Sequence, residues 1–263
     1  MHSEERAFLT AICEHPAEDA ARLVFADWLA DYGQPERGEF IRVEVELART
    51  PPTTEGDERR RRLLLDRRAE LLKEHKREWL APFSPYAKES SFVRGFVQSL
   101  DVPANTFVQN AGKWLSLTPL THVKFTSFRV WERATASYMW WAAELFSSPH
   151  LSRLEVIDLE SLRLEAVDLE TLAAHPDLSR LRELVLAWNG VRSDGARLLA
   201  AMPQLRNLTS LDLRGNGITD SGARAVAESE YLGNLTELRM TRNSIRDRAW
   251  RMLEDRFGDA LVG

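Results

Sequence analysis

Five charged side chains near the start of the chain, Arg22, Asp27, Arg37, Glu39 and Arg42, are the first candidates for acid–base chemistry. Proton transfer at neutral pH calls for a group that titrates there, and no histidine accompanies them. His15 stands before Pro16, where a helix must end. Short helices bury little apolar surface, so charged residues between them are expected to pair and fix their angles. Cys13 is the only cysteine. It would act as a nucleophile only beside a base that lowers its pKa; none is visible, and a small packed residue is expected. The run Glu58-Arg59-Arg60-Arg61-Arg62 is a second candidate, as a phosphate or nucleic-acid patch. It lies at the start of a predicted helix, where cations are unfavourable. Asp66, Glu70, Glu74 and Glu78 follow on that helix and can neutralise it, which favours a solvated face. There is no Gly-rich phosphate loop, metal-ligand spacing or Ser-His-Asp order to pursue. No catalytic residue, cofactor or metal site is expected, and the chain is read as a binding protein, not an enzyme.

Composition points the same way. The 263 residues are 44% hydrophobic and 29% charged, as in ordinary soluble proteins that bury a sizeable core. A net charge of −5 argues against a general nucleic-acid binder. One cysteine excludes an internal disulfide framework and suits a reducing cytoplasm. The start MHSEERAFLTAICEHP lacks the apolar run of a signal peptide, and no 18-residue apolar stretch follows, so neither export nor a membrane span is expected. Charge is uneven: residues 1–57 carry a net of −8 and residues 58–78 a net of +4.

The strongest pattern lies further on. Asn189, Asn216 and Asn243 stand 27 residues apart, each closing the same phrase. The phrases are Leu181-x-x-Leu184-x-Leu186-x-x-Asn189-x-Val191, Leu208-x-x-Leu211-x-Leu213-x-x-Asn216-x-Ile218 and Leu235-x-x-Leu238-x-Met240-x-x-Asn243-x-Ile245. This period and pattern are the signature of a leucine-rich repeat. One step back, Leu154-x-x-Ile157-x-Leu159-x-x-Leu162-x-Leu164 keeps the frame with Leu162 in place of Asn. Before it, Leu120-x-x-Val123-x-Phe125-x-x-Phe128-x-Val130 fits, in a unit of 34 residues with an insertion of about seven. Residues 92–102 fit weakly and read as a cap. The array is thus a cap and five repeats: 92–119, 120–153, 154–180, 181–207, 208–234 and 235–261. In each, the first half is a short strand with inward leucines, and the Asn side chain satisfies backbone groups where the chain leaves it. The second half is helical, and a strand plus a true helix in 27 residues resembles the ribonuclease-inhibitor class of these repeats.

Ahead of the repeats lies a helical segment. Expected helices span residues 4–14, with Phe8, Ala11 and Ile12 on one face, and 18–32, with Ala21, Phe25, Trp28, Leu29 and Tyr32. A third opens at Pro35 and ends before Pro51-Pro52, and a fourth spans 58–80 with Leu65, Ala69, Leu72 and Trp79 on its apolar side. The strings Arg22-Leu23-Val24-Phe25-Ala26-Asp27-Trp28-Leu29 and Glu36-Arg37-Gly38-Glu39-Phe40-Ile41-Arg42 resemble the repeat-companion domain over residues 4–46. That domain is a short bacterial module, found in groups such as myxobacteria and planctomycetes, often ahead of leucine-rich repeats. The resemblance implies a bacterial origin and carries no activity with it. The expected fold is α/β: a leucine-rich repeat solenoid forming a short arc, parallel strands concave and helices convex, over residues 91–263. A small all-α module over residues 1–90 precedes it.

In such arrays the partner commonly meets the concave strands and the loops beyond them. The positions expected to face outward there are His122, Lys124, Thr126 and Ser127; Val156, Asp158, Glu160 and Ser161; Glu183, Val185, Ala187 and Trp188; Ser210, Asp212 and Arg214; and Glu237, Arg239, Thr241 and Arg242. The stripe reads acidic in the middle and basic at the last repeat. The candidate partner-binding residues are Lys124, Asp158, Glu160, Glu183, Val185, Trp188, Asp212, Arg214, Arg239 and Arg242. Trp188 has no core slot in this frame; it is either an interface anchor or packed flat on neighbouring backbone. Trp131, Trp140 and Trp141 cluster with Tyr138 and Met139, and adjacent Trp140 and Trp141 cannot both face the core of a helix. The function expected is a scaffold that holds a protein partner on the concave face. The alternatives are an enzyme regulator, GTPase-activating or inhibitor-like, which needs a rim residue such as Arg214 or Arg242, and nucleic-acid binding through Arg59–Arg62.

Overall fold

Helix-forming sequence fills most of the first eighty residues, and strand–helix alternation fills the rest. The structure, a computed structural model, describes residues 3–88, 91–126 and 141–262. The chain divides into two compact units: residues 1–100 with 111–120, and residues 101–110 with 121–263.

The first unit holds α1 (Ser3–Glu14), α2 (Ala20–Asp31), α3 (Pro35–Arg49) and α4 (Glu55–Leu80). Pro35 opens α3, where its missing N–H costs nothing. Thr54 caps α4 by accepting from the Asp57 amide at 3.1 Å. The core gathers Leu9, Ile12, Phe25, Ala26, Leu29, Ile41, Val45 and Phe96. Gly38 lets α3 approach α2 closely, since a Cβ there would stand 2.3 Å from the Ala26 carbonyl oxygen.

The apolar side of α4 differs from the expectation. Leu71, Leu72 and Leu80 are buried, Ala69 is exposed and Leu65 is 45% exposed. Several leucine phases are available along this helix, and ion pairs to α3, described below, select one of them. Residues 92–97, read as part of a cap, instead form an antiparallel hairpin of β1 (Phe92–Val93) and β2 (Phe96–Val97). Its turn is Arg94-Gly95, with φ of 49° and 84°, the backbone that suits two-residue hairpin turns.

The sheet begins with β3 (Ser99–Pro103), followed by α5 (Ala104–Leu117) and β4 (His122–Thr126). Next come α6 (Trp141–Phe146), β5 (Val156–Asp158), α7 (Ala166–Ala173), β6 (Glu183–Val185), α8 (Arg192–Ala200) and β7 (Ser210–Asp212). The chain closes with α9 (Asp220–Ala227), β8 (Glu237–Arg239), α10 (Asp247–Phe257) and β9 (Leu261–Val262). The seven strands lie in chain order, and each pairing from β4 to β9 is parallel. The 27-residue frame is kept in the register: Ile157, Leu184, Leu211 and Leu238 are successive neighbours, and all are buried. Each of α7, α8 and α9 packs on the helix that follows it. β9 was not expected; Leu261 opposes Leu238 after 23 residues, four short of the period, so the frame passes over it. Ser127, Phe128, Val130, Trp131, Tyr138, Met139 and Trp140 lie outside the described residues, whereas Trp141 opens α6 half-buried.

Candidate partner-binding surface

The Asn ladder sets the loops that leave the strands. Asn216 donates to the carbonyls of Leu186, Leu213 and Arg214 at 2.9–3.1 Å and accepts from the Val191 amide at 3.2 Å. Asn189 donates to the carbonyls of Leu159, Leu186 and Ala187, and its oxygen accepts from the amides of Leu162 and Leu164. Asn243 donates to Leu213 and Met240 and accepts from Asn216 and Ile218. Each asparagine thus serves its own turn and that of the preceding unit. This explains how Leu162 is tolerated: the turn it occupies is held by Asn189.

Side chains alternate along each strand, so the sheet presents one buried face and one open face. Two rows cross the open face. One is His122, Val156, Glu183, Ser210 and Glu237; the other is Lys124, Asp158, Val185, Asp212 and Arg239. The charges on it are largely spent on one another. Lys124 lies 3.1 Å from Asp158 and 3.5 Å from Glu160, and the Asp158 hydrogen bond holds its pKa above the usual lysine value. Arg214 grips both oxygens of Asp212, with Nη2 at 2.6 Å, and this raises its pKa. Arg239 reaches the same carboxylate at 3.8 Å and pairs with Glu237. Burial lowers the pKa of His122, whose Nδ1 lies 2.7 Å from the Thr121 hydroxyl.

Two expectations are therefore corrected. Asp212 is not an outward charge: it is 1% exposed, because a carboxylate beneath two arginines loses less by burial than one left bare in a crowded sheet. The acidic centre is neutralised rather than displayed. Ala187, also expected outward, is fully buried where the chain turns beneath Trp188. Glu183 and Val185 remain half-buried between the two ion clusters, and Ser161 and Arg242 are exposed.

Trp188 is unusual in two ways at once. It is 50% exposed, and its φ is 58°. Ser161, Trp188, Gly215 and Arg242 occupy the same repeat position, before the Asn, and all have φ of 58–66°. A side chain there costs about 1–2 kcal/mol relative to glycine. The Trp188 ring lies against Gly215; a Cβ on Gly215 would meet it at 2.5 Å. One face of the indole packs on backbone and half the residue stays in water. The clue in the sequence was Gly215, which marks the positive-φ position one period after the tryptophan. Arg242 completes the file, and among the described residues no carboxylate lies within ion-pair distance of it.

The five charged residues of the first unit are spread among structural pairs. Arg42 binds Asp27 at 2.5 Å and Arg67 binds Glu39 through two hydrogen bonds, which holds the Glu39 carboxyl below its usual range. Arg22, 2% exposed, donates to the carbonyls of Glu18 and Pro16. Arg37 donates to the Gly95 carbonyl at 2.6 Å and lies among the rings of Phe40, Trp79, Phe92 and Phe96; burial depresses its pKa to about 10. In the basic run, Arg60 pairs with Glu46 and Arg61 donates to the carbonyls of Leu47 and Thr50. Arg68 binds Glu44 at 2.5 Å. The partners come mainly from α3 rather than from the acids of α4, of which Glu70 pairs with Arg67. The basic segment 58–78 thus neutralises the acidic segment before it. Cys13 is buried.

Among the described residues, no group of three or more His, Cys, Asp or Glu is placed to hold a metal, and no helix is long and apolar enough to cross a membrane. Comparison with curated proteins gives no match. A family model described as "Leucine Rich repeat" matches residues 179–200 and 204–227. These segments contain β6, α8, β7 and α9, joined by the Asn216 bridge, so two leucine-rich repeats lie within residues 179–227.

Proposed function

We propose that the chain is a protein-interaction scaffold that works by binding rather than by catalysis. The partner docks on the open sheet face and its Trp188–Arg242 rim. The repeats extend on both sides of residues 179–227 as a short solenoid arc, with this face concave and the helices convex. The single observation that carries the reading is Trp188: a bulky aromatic kept at a backbone position that favours glycine, half in water on a glycine shelf. Strain retained where relief is one substitution away motivates a functional reading, and tryptophan and arginine often dominate interface energy. The setting is a bacterial cytoplasm, with residues 4–46 resembling a repeat-companion module. Of the rim arginines, Arg242 has its charge to offer, whereas Arg214 and Arg239 are bound to Asp212.

The test is a Trp188→Ala/Arg242→Glu double variant in a pull-down from the native lysate. We expect it to keep the wild-type unfolding midpoint and lose the partner. Retention of every co-purifying protein by the folded variant would refute the assignment.

A further inference from the structure

The helical unit carries an open cleft of about 670 Å³. Leu72, Lys73, Arg77 and Leu80 of α4 line one wall, and Pro85 and Ala87 line the other. The α4 positions fall on one stripe by helical spacing. Lys76 and Ser84 complete the polar part, and among the described residues the lining holds no carboxylate and no aromatic ring. Arg60, Arg67 and Arg68, on the other side of α4, are engaged by α3, as described above. Among the described residues no carboxylate comes within ion-pair distance of the exposed Lys73 and Arg77. A cation in the last helical turn is favoured by the helix dipole whatever it binds, which accounts for Arg77. Lys73, about two turns from the end, has no such ground.

The far wall is held in place. Phe83 is buried, and the Trp114 Nε1 donates to the Pro82 carbonyl at 3.1 Å. The Tyr86 ring packs edge-on against Trp114, and the amides of Tyr86 and Ala87 donate to Phe83 at 2.8 and 3.2 Å. The cleft is therefore preformed, as ligand sites usually are, and its volume is within their usual range. Its cations select an anion. The missing aromatic ring removes the stacking surface a nucleobase uses, and the aliphatic walls fit a hydrocarbon.

We propose that this cleft binds an amphiphile with an anionic head, phosphate or carboxylate, and an aliphatic body. Lys73 and Arg77 take the head; Ala69, Pro85 and Ala87 flank the body over a floor of Leu72 and Leu80. This site is separate from the repeat surface and does not rest on the reading given for it.

Titration calorimetry of the full chain with dodecyl phosphate, below its micelle concentration, tests this. We expect saturable binding that Lys73→Glu/Arg77→Glu weakens by about tenfold or more, a change of about 1.4 kcal/mol or more. Ala87→Trp, which fills the cleft and leaves its charge, should weaken binding as well. Both variants are checked for wild-type circular dichroism. Inorganic phosphate should bind at least about tenfold more weakly than dodecyl phosphate. No saturable binding, wild-type affinity in both folded variants, or equal affinity for inorganic phosphate would overturn the proposal. Co-sedimentation with phosphatidylglycerol vesicles but not phosphatidylcholine vesicles, lost in Lys73→Glu/Arg77→Glu, assigns the head to a membrane lipid. Solution binding without co-sedimentation assigns it to a free amphiphile.

Discussion

In the helical unit the buried charged side chains meet partners of different kinds, each arrangement occurring once. Arg68 meets Glu44, Arg37 meets the Gly95 carbonyl, and Arg22 meets the carbonyls of Pro16 and Glu18. In the repeat unit one bond pattern recurs, from Asn189 to Asn216 to Asn243, and every partner is backbone. A side-chain pair between helices depends on where the two helices cross. An amide aimed at backbone depends only on the repeat geometry, so the same residue works at each turn. The first arrangement concentrates specificity in single contacts; the second shares it along the array.

The largest effect should come from breaking the shared bond at its most buried point. Asn216→Ala leaves the Val191 amide and the carbonyls of Leu186, Leu213 and Arg214 without their side-chain partner. We expect a loss of about 3 kcal/mol, at the upper end for an unsatisfied buried group because two turns are affected. Denaturant unfolding measures it. An unchanged midpoint would mean the turns hold without the amide, and the contrast between the units would fail.

A single pair in the helical unit should cost less, and its cost should follow burial. Arg68→Ala strands the buried Glu44 carboxylate, and we expect a loss of about 2 kcal/mol, below the usual cost of breaking a buried pair because Arg68 is partly in water. Arg60→Ala removes an exposed partner of Glu46, and we expect about 0.5 kcal/mol or less. Equal losses in the two variants would show that position on α4, not burial, decides the value of each pair.

The two units were also unequally legible in the sequence, for the same reason. The strands β5 to β8 and the asparagines that bridge them follow from a fixed spacing, since every inward leucine and every turn amide has one slot. The open face was legible only as a set of positions. That Asp212 sinks beneath Arg214 and Arg239 depends on how long side chains fold across neighbouring strands, which no spacing encodes. The positive φ of Trp188 was encoded only indirectly, in Gly215 one period later. In the helical unit the boundaries of α3 were marked by Pro35 and Pro51, but the face of α4 was not. Leu63, Leu64, Leu65, Leu71 and Leu72 permit more than one apolar side, and pairing with Glu39, Glu44 and Glu46 of α3 chooses among them. The cleft beside Lys73 and Arg77 was not foreseen, because its second wall is the turn after α4 rather than a periodic element.

The smallest expected effect separates the units by pH. Arg67 donates to both Glu39 oxygens at 2.7 and 2.8 Å, and this holds the carboxyl below its ordinary 4.5. A carboxylate with a depressed folded pKa contributes stability that is present above the unfolded value. That contribution is lost as pH falls through the folded value. The asparagine amides carry no proton that titrates in this range. The stability gap between wild type and Glu39→Gln should therefore be present at pH 7, shrink below about pH 4.5 and close as the carboxylate protonates. The gap between wild type and Asn216→Ala should stay level over the same range. The Glu39 gap will be small, because both partners remain partly in water and salt screens them. Urea unfolding of the three proteins from pH 7 to pH 3 measures both gaps. An Asn216→Ala gap that closes in step with the Glu39→Gln gap would show that the ladder depends on nearby charges. Asp212 and its two arginines, one strand turn away from Asn216, would then be the place to look.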